Sequence, residues 1–218
     1  MIEAILPATV AVAEARNDDA AVDLFPLEEA IVAGAVERRR RKFATARACA
    51  HRALALLGAE PGPVGAGARG EPLWPDGVVG TIAHCRGYRG CAVARAAELV
   101  TIGVDAEPHE ALPNGLIDDL ARAEEREWLA ELARTEPEVH WDRLLFSAKE
   151  AVYKAWYPLA ERWLGFEDAV LTVDPRGRTF SARLLVEGPA VAGRELSGFD
   201  GRWLVDEGLI LTAIALSR

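Results

Sequence analysis

The chain has 218 residues, half of them apolar, and a net charge of −9 from 25 Lys and Arg against 34 Asp and Glu. That supports a sizeable core in one large domain or two small ones, while the acidic balance excludes general nucleic-acid binding. No apolar run approaches the roughly 18 to 20 residues of a membrane span, and the opening "MIEAILPATVAVAEARNDDA" lacks a basic n-region. A cytoplasmic protein is expected, and Cys49, Cys85 and Cys91 show neither C-x-x-C spacing nor histidine pairing that would indicate a disulfide framework or zinc.

In chain order, residues 27 to 57 read as helix, with a break allowed inside the stretch: Ile31, Ala35 and Val36, then Phe43, Ala46, Ala50, Ala53, Leu54 and Leu57 recur at helical spacing before Gly58. "AEPGPVGAGARGEPLWPDG" is loop. Three strands are predicted over Val79 to Ala83, Gly90 to Arg95 and Leu99 to Asp105, the last two joined as a hairpin through "AAE". "EPHEALPNG" is a second loop, Ala123 to Arg134 an acidic amphipathic helix, and a further helix runs from about Val139 until Pro158 ends it. Its apolar stripe is Trp141, Leu144, Leu145, Ala148, Val152, Ala155 and Trp156. Late strands follow at Ala169 to Val173, Phe180 to Val186, Arg202 to Val205 and, after Gly208, Leu209 to Leu216. Each half is helix-rich and then strand-rich, which predicts an α+β fold of two similar halves around a cleft, divided as 1–104 and 105–218.

Charge is distributed unevenly. "ERRRRKFATARACAHR" (Glu37 to Arg52) is strongly basic, and Ala106 to Glu138 is strongly acidic. The run Arg38 to Lys42 exceeds a helical turn and is mostly a solvated face, but Arg39 and Arg47 lie eight residues apart on about the same face and can reach one anion together. In "VTIGVDAEPH" the strand ends in Asp105 and Glu107, alternate residues that share a face. Their repulsion is relieved either by water at a solvated junction or by a divalent cation, and oxygen donors suit Mg2+ better than zinc. On the late helix Glu150 and Lys154 stand at i and i+4, the order of an ordinary surface pair. Yet lysine occurs only at Lys42, Lys149 and Lys154 in this arginine-preferring chain, which favours a phosphate-binding role for the two that flank Glu150. His84 ends a strand before a glycine turn, a position open to packing or to a cleft.

Taken in order, "RRRRKFATARACAHRAL", "GEPLWPDGVVGTIAHCRGYRG", "IGVDAEPHEALPNG", "HWDRLLFSAKEAVYKAWYPL", "RWLGFEDA" and "GRWLVDEGLILTAIAL" resemble the two-halved, Sfp-type 4′-phosphopantetheinyl transferases, in particular their actinobacterial branch, which includes a mycobacterial enzyme. The resemblance implies a monomer that transfers the phosphopantetheine arm of coenzyme A to a serine of an apo acyl or peptidyl carrier protein, leaving adenosine 3′,5′-bisphosphate. It assigns Asp105, Glu107 and Glu150 to Mg2+, and Lys149 and Lys154 to the pyrophosphate. Arg39, Arg47 and His84 fall on the 3′-phosphate side of coenzyme A. Glu150, or a metal-bound water it orients, becomes the general base, with Lys154 steadying the transition state. Leu116, Ile117 and Leu120 are candidates for a carrier-protein patch or for core. The chain departs from the family pattern at Ala83, where many members carry Ser or Thr, and at Glu71, where many carry Lys, leaving Arg69 as the nearest cation. Another Mg2+-dependent, nucleotide-handling enzyme, or a non-catalytic carrier binder, would keep some of the same residues.

Overall fold

The structure is a computed structural model that describes residues 1–18 and 22–218. In the first half, β1 (Ala11–Ala15), α1 (Pro26–Val32) and α2 (Glu37–Leu56) precede the short ladder of β2 (Gly65–Ala66) and β3 (Pro72–Leu73), then β4 (Val78–Cys85) and β5 (Tyr88–Arg95). The strands form an antiparallel sheet in the order β1-β5-β4. The expected long helix is interrupted over residues 33–36, around Gly34. Beyond that break Ala46, Cys49, Ala50, Ala53 and Leu54 recur every three or four residues, and this stripe packs on β1 and β5.

The second half begins with β6 (Leu99–Pro108) and continues through α3 (Leu116–Leu120), α4 (Ala123–Thr135), α5 (Trp141–Ala160), β7 (Ala169–Asp174) and β8 (Thr179–Leu184). A small hairpin of β9 (Ala190–Val191) and β10 (Arg194–Glu195) precedes β11 (Gly198–Asp206) and β12 (Leu209–Ser217). Its five-stranded sheet runs β6-β12-β11-β8-β7, with α5 laid on β6 and β12. Each half is thus a helix on an antiparallel sheet, the α+β architecture expected. The edge strands β4 and β6 abut where the two sheets meet.

Three expectations change. The hairpin is β4–β5, not β5–β6: Cys85 faces Tyr88 across a two-residue Arg86-Gly87 turn in which Gly87 has φ +76°. β6 is instead taken up along its length by the closing strand β12, from Leu209 opposite Pro108 to Ser217 opposite Leu99. The division at 104/105 therefore falls between consecutive residues of one strand. β1 was not anticipated, because five Ala, Val and Glu residues carry no turn signals or aromatic content. Pro158 lies inside α5, which ends at Glu161 in left-handed conformation; the helix survives because Pro158 removes only one hydrogen bond near its last turn.

Strand alternation divides β6 into two faces. Ile102, Val104 and Ala106 join a core with Ala83, Tyr88, Ala92, Ala94, Leu211 and Ala213, closed by Ile2 and Ile5 of an N-terminal 3-10 turn. Thr101, Gly103, Asp105 and Glu107 face α5. Thr101 Oγ1 donates to Ala155 O at 3.0 Å, and a Cβ on Gly103 would lie 2.0 Å from Ala151 O. Only glycine lets α5 approach this closely, and that approach sets the helix at the polar end of β6.

Candidate active site

Asp105 and Glu107 share one face of β6, as their i, i+2 spacing predicts. Asp105 is buried; Lys154 Nζ donates to its Oδ1 at 2.7 Å, while Oδ2 is buried with no hydrogen-bond partner among the described residues. Arg143, in the first turn of α5, donates through Nη1 to Glu107 Oε2 at 2.8 Å. It also donates to the carbonyl oxygens of Glu110 (3.1 Å) and Ala111 (2.9 Å), tying the loop after β6 to the helix. Sequence reasoning missed Arg143. The signal was present: Arg143, Ser147, Glu150 and Lys154 stand at i, i+4, i+7 and i+11, a polar stripe on an apolar helix.

Glu150 is half-buried between these groups. Burial, and then the Asp105 carboxylate, raise its pKa above the ordinary 4.5, with the Lys154 ammonium opposing. Glu107 is raised by burial and by Asp105 while Arg143 and Lys154 pull it down. Both glutamates therefore feel Asp105 as their anionic neighbour. Among the described residues, no three His, Cys, Asp or Glu side chains are drawn together into a metal cage. The donor set nevertheless fits a hard divalent cation: the groups are all oxygen donors, Asp105 Oδ2 has no partner among the described residues, and Mg2+ completes its shell with waters and substrate phosphates.

Across the junction of the sheets, the imidazole of His84, near the end of β4, is accessible to solvent yet closely walled. Its pKa is lowered by desolvation and then by Lys154 and Arg89, with Asp105 opposing, so the ring lies within reach of the charges around Asp105. Arg69 comes over from the β2–β3 loop, its guanidinium 6.0 Å from the Tyr157 ring centroid and 5.6 Å from that of Trp163. Glu71 turns back on its own loop and accepts the Arg69 backbone N–H at 2.9 Å. Arg39 is exposed. Arg47 is buried, 4.3 Å over the Phe43 ring, with Nη2 donating to Gly65 O at 3.2 Å and Nε without a partner among the described residues. The expected Arg39–Arg47 pairing is thus split between surface and interior.

Lys149 requires a correction. Its ammonium is not on the polar stripe but inside the C-terminal half, 2.9 Å from Glu125 Oε2 of α4 and donating to Phe166 O at 2.6 Å and Ala169 O at 3.0 Å. Both side chains are almost wholly buried. Burial lowers the Lys149 pKa and Glu125 opposes that. With three acceptors engaged, the ammonium has no donor left for a pyrophosphate. The stripe explains the placement: Lys149 follows Leu145 by four and precedes Val152 by three, on the buried side of α5.

Beside Glu150 a cavity of about 190 Å³ opens between α5 and the segment 163–169, lined by Tyr153, Trp163, Leu164, Phe166 and the Lys149 stem. Trp163 is one of the few large apolar side chains left mostly exposed. Of the suggested carrier patch, Leu120 is core, whereas Leu116 is exposed and Ile117 partly so.

This combination of two α+β halves, an acidic strand end and a facing K-E-A-x-x-K helix agrees with the family comparisons. The model of the 4′-phosphopantetheinyl transferase N-terminal domain matches residues 27–94, and that of the 4′-phosphopantetheinyl transferase superfamily matches residues 101–198. The chain belongs to this superfamily. It is 56% identical over 221 residues to the 4′-phosphopantetheinyl transferase Svp of Streptomyces mobaraensis, covering 100% of this chain and 89% of that protein. It is 50% identical to Npt of Nocardia iowensis (99% of each chain) and 47% identical to PptT of Mycobacterium tuberculosis (99% and 98%). The protein is accordingly a transferase that modifies carrier proteins with the phosphopantetheine of coenzyme A.

Proposed function

We propose that this transferase acts with Mg2+ held by Asp105, Glu107 and Glu150, and passes phosphopantetheine to a serine hydroxyl of an apo acyl or peptidyl carrier protein. The observation that carries this reading is the buried Oδ2 of Asp105 beside Glu150, unpartnered among the described residues, with Lys154 already on Oδ1. When bound, the metal neutralises charge on the pyrophosphate. Glu150, half-buried beside Asp105, accepts the serine proton directly or through a water it orients. Lys154 offers its ammonium to the bridging phosphates as negative charge moves onto the leaving group.

The 3′-phosphate side of coenzyme A falls to the first half. Arg69, His84 and exposed Arg39 supply the donors, while buried Arg47 is spent on the Gly65 carbonyl and the Phe43 ring; the work is divided between residues 1–104 and 105–218. The apolar cavity beside Glu150 receives the pantetheine arm, its mostly apolar lining suiting a chain of methylene and amide groups. Exposed Leu116 offers an apolar contact for the carrier's helices. In this reading the protein acts as a cytoplasmic monomer.

The test is to incubate the protein with coenzyme A and an apo carrier, with Mg2+ or with a chelator, and to weigh the intact carrier. A gain of the phosphopantetheine mass that requires Mg2+ is expected. Coenzyme A consumption without carrier modification would sink the reading, and transfer undiminished by chelator would remove the metal from it.

A further inference from the structure

The cavity beside Glu150 owes its outer wall to residues 163–169, and that wall is tethered from within. Lys149 Nζ holds the carbonyl oxygens of Phe166 and Ala169, at either side of the 3-10 turn Phe166–Asp168. Glu125 pairs with the same ammonium at 2.9 Å, and its Oε1 accepts the Leu171 N–H at 2.8 Å. Asp168 Oδ2 accepts the Gly165 N–H at 2.8 Å, and Arg122, whose own N–H is held by Glu125, donates to Glu167 O at 2.9 Å. The segment from Gly165 to Leu171 is therefore fastened to α4 and α5 through one buried ion pair. Such a pair is costly to open, because either charge left alone in the interior has no water to solvate it. Glu150 is the next residue along α5, so the node that shapes the wall also fixes the helix backbone beneath the catalytic carboxylate.

We propose that Lys149 is a positioning residue: paired with Glu125, it holds the Gly165–Ala169 wall of the cavity and so governs recognition of the pantetheine end of coenzyme A, without touching the phosphates. This rests on the reading that the cavity takes the pantetheine arm. It separates the two lysines of the K-E-A-x-x-K motif by task, Lys154 to the phosphates and Lys149 to the shape of the site.

The test compares two ligands by calorimetry in the presence of Mg2+: coenzyme A, and adenosine 3′-phosphate 5′-diphosphate, which carries the same phosphates without the arm. Lys149→Met alone strands the Glu125 carboxylate and risks misfolding, so it is paired with the double variant Lys149→Met/Glu125→Leu, which removes both charges. The double variant is expected to bind the diphosphate within about twofold of wild type, while coenzyme A affinity and kcat/KM fall by about tenfold or more. A parallel tenfold loss for both ligands would make Lys149 a phosphate ligand and overturn the proposal. Unchanged affinity and turnover with both ligands would overturn it as well. Wild-type protein that binds the two ligands equally would remove the cavity reading and the proposal with it, a result seen before any variant is made. Lys149→Arg, which keeps the charge, is expected to recover part of the coenzyme A affinity in the same assay; no recovery relative to Lys149→Met would count against a positioning role.

Discussion

Lys149 and Lys154 stand five residues apart on one helix and occupy opposite environments. Lys154 is a quarter exposed and faces a carboxylate with one oxygen unpartnered among the described residues; Lys149 is sealed behind α4, with each acceptor it meets fixed by the fold. The same ammonium is thus open to a ligand at one position and structural at the other. Five residues turn a helix by about 500°, placing the two side chains on faces roughly 140° apart. A lysine's chemistry is decided by the face it occupies, not by its neighbours in the motif.

The strongest challenge to this contrast is Glu150→Gln, which keeps the size and removes the carboxylate lying between the two lysines. Transfer is expected to fall by about 10²-fold or more, read by carrier mass over time, with the fold intact. Stability should move the other way. Folding holds Glu150 above its ordinary 4.5 through burial and Asp105, so the ionised form costs the folded state nothing below 4.5 and its full penalty once pH exceeds the folded pKa. Without Mg2+, Glu150→Gln should therefore melt higher than wild type at pH 7, with the gain shrinking as pH falls toward 4.5. A Tm equal to wild type throughout would refute the crowding of these carboxylates.

Next in size is Lys154→Met, expected to lower kcat/KM by about 10² and also to lower Tm in the absence of Mg2+, because it leaves the buried Asp105 carboxylate without its ammonium. If it merely raised KM for the carrier, Lys154 would not be acting at the phosphates. Gly103→Ala probes the geometry beneath: its Cβ would meet the Ala151 carbonyl and crowd Ala155, so α5 must move off β6. A cost of about 1–3 kcal/mol in urea unfolding is expected, together with loss of transfer. The smallest effect is assigned to Arg143→Ala. It frees Glu107 and the loop carbonyls of Glu110 and Ala111, and should reduce transfer by about 5- to 10-fold and raise the Mg2+ concentration needed for half-maximal rate. Arg143→Lys, which keeps charge but not the fork, should recover less than half of that loss.

The β6 face was legible because strand periodicity is local: Asp105 and Glu107 two residues apart must point the same way wherever the strand goes. The stripe that seats α5 was legible for the same reason. It also contained the information that Lys149 belongs to the buried side, an inference that the density of charge around Glu150 obscured. The β5–β6 hairpin misled because a short polar link is what a hairpin needs, and nothing local says that β12, more than a hundred residues later, is the better partner for β6. The hidden Glu125 is equally non-local, since α4 reads as an acidic amphipathic helix and nothing local says which carboxylate α5 and β7 will cover.

The sequence by itself determined which residues share a face, where the helices and most strands run, and, through the ordered motifs, the family to which the chain resembles a member. These follow from periods of 2 and 3.6 residues and from turn chemistry, all fixed within a few residues of chain. Only the tertiary structure decided which charges meet: Asp105 with Lys154, Glu107 with Arg143, and Glu125 with Lys149. Those pairs join residues 24 to 49 positions apart, brought together because apolar faces on β6, α4 and α5 had to be buried and the polar groups beside them then had to find partners without water.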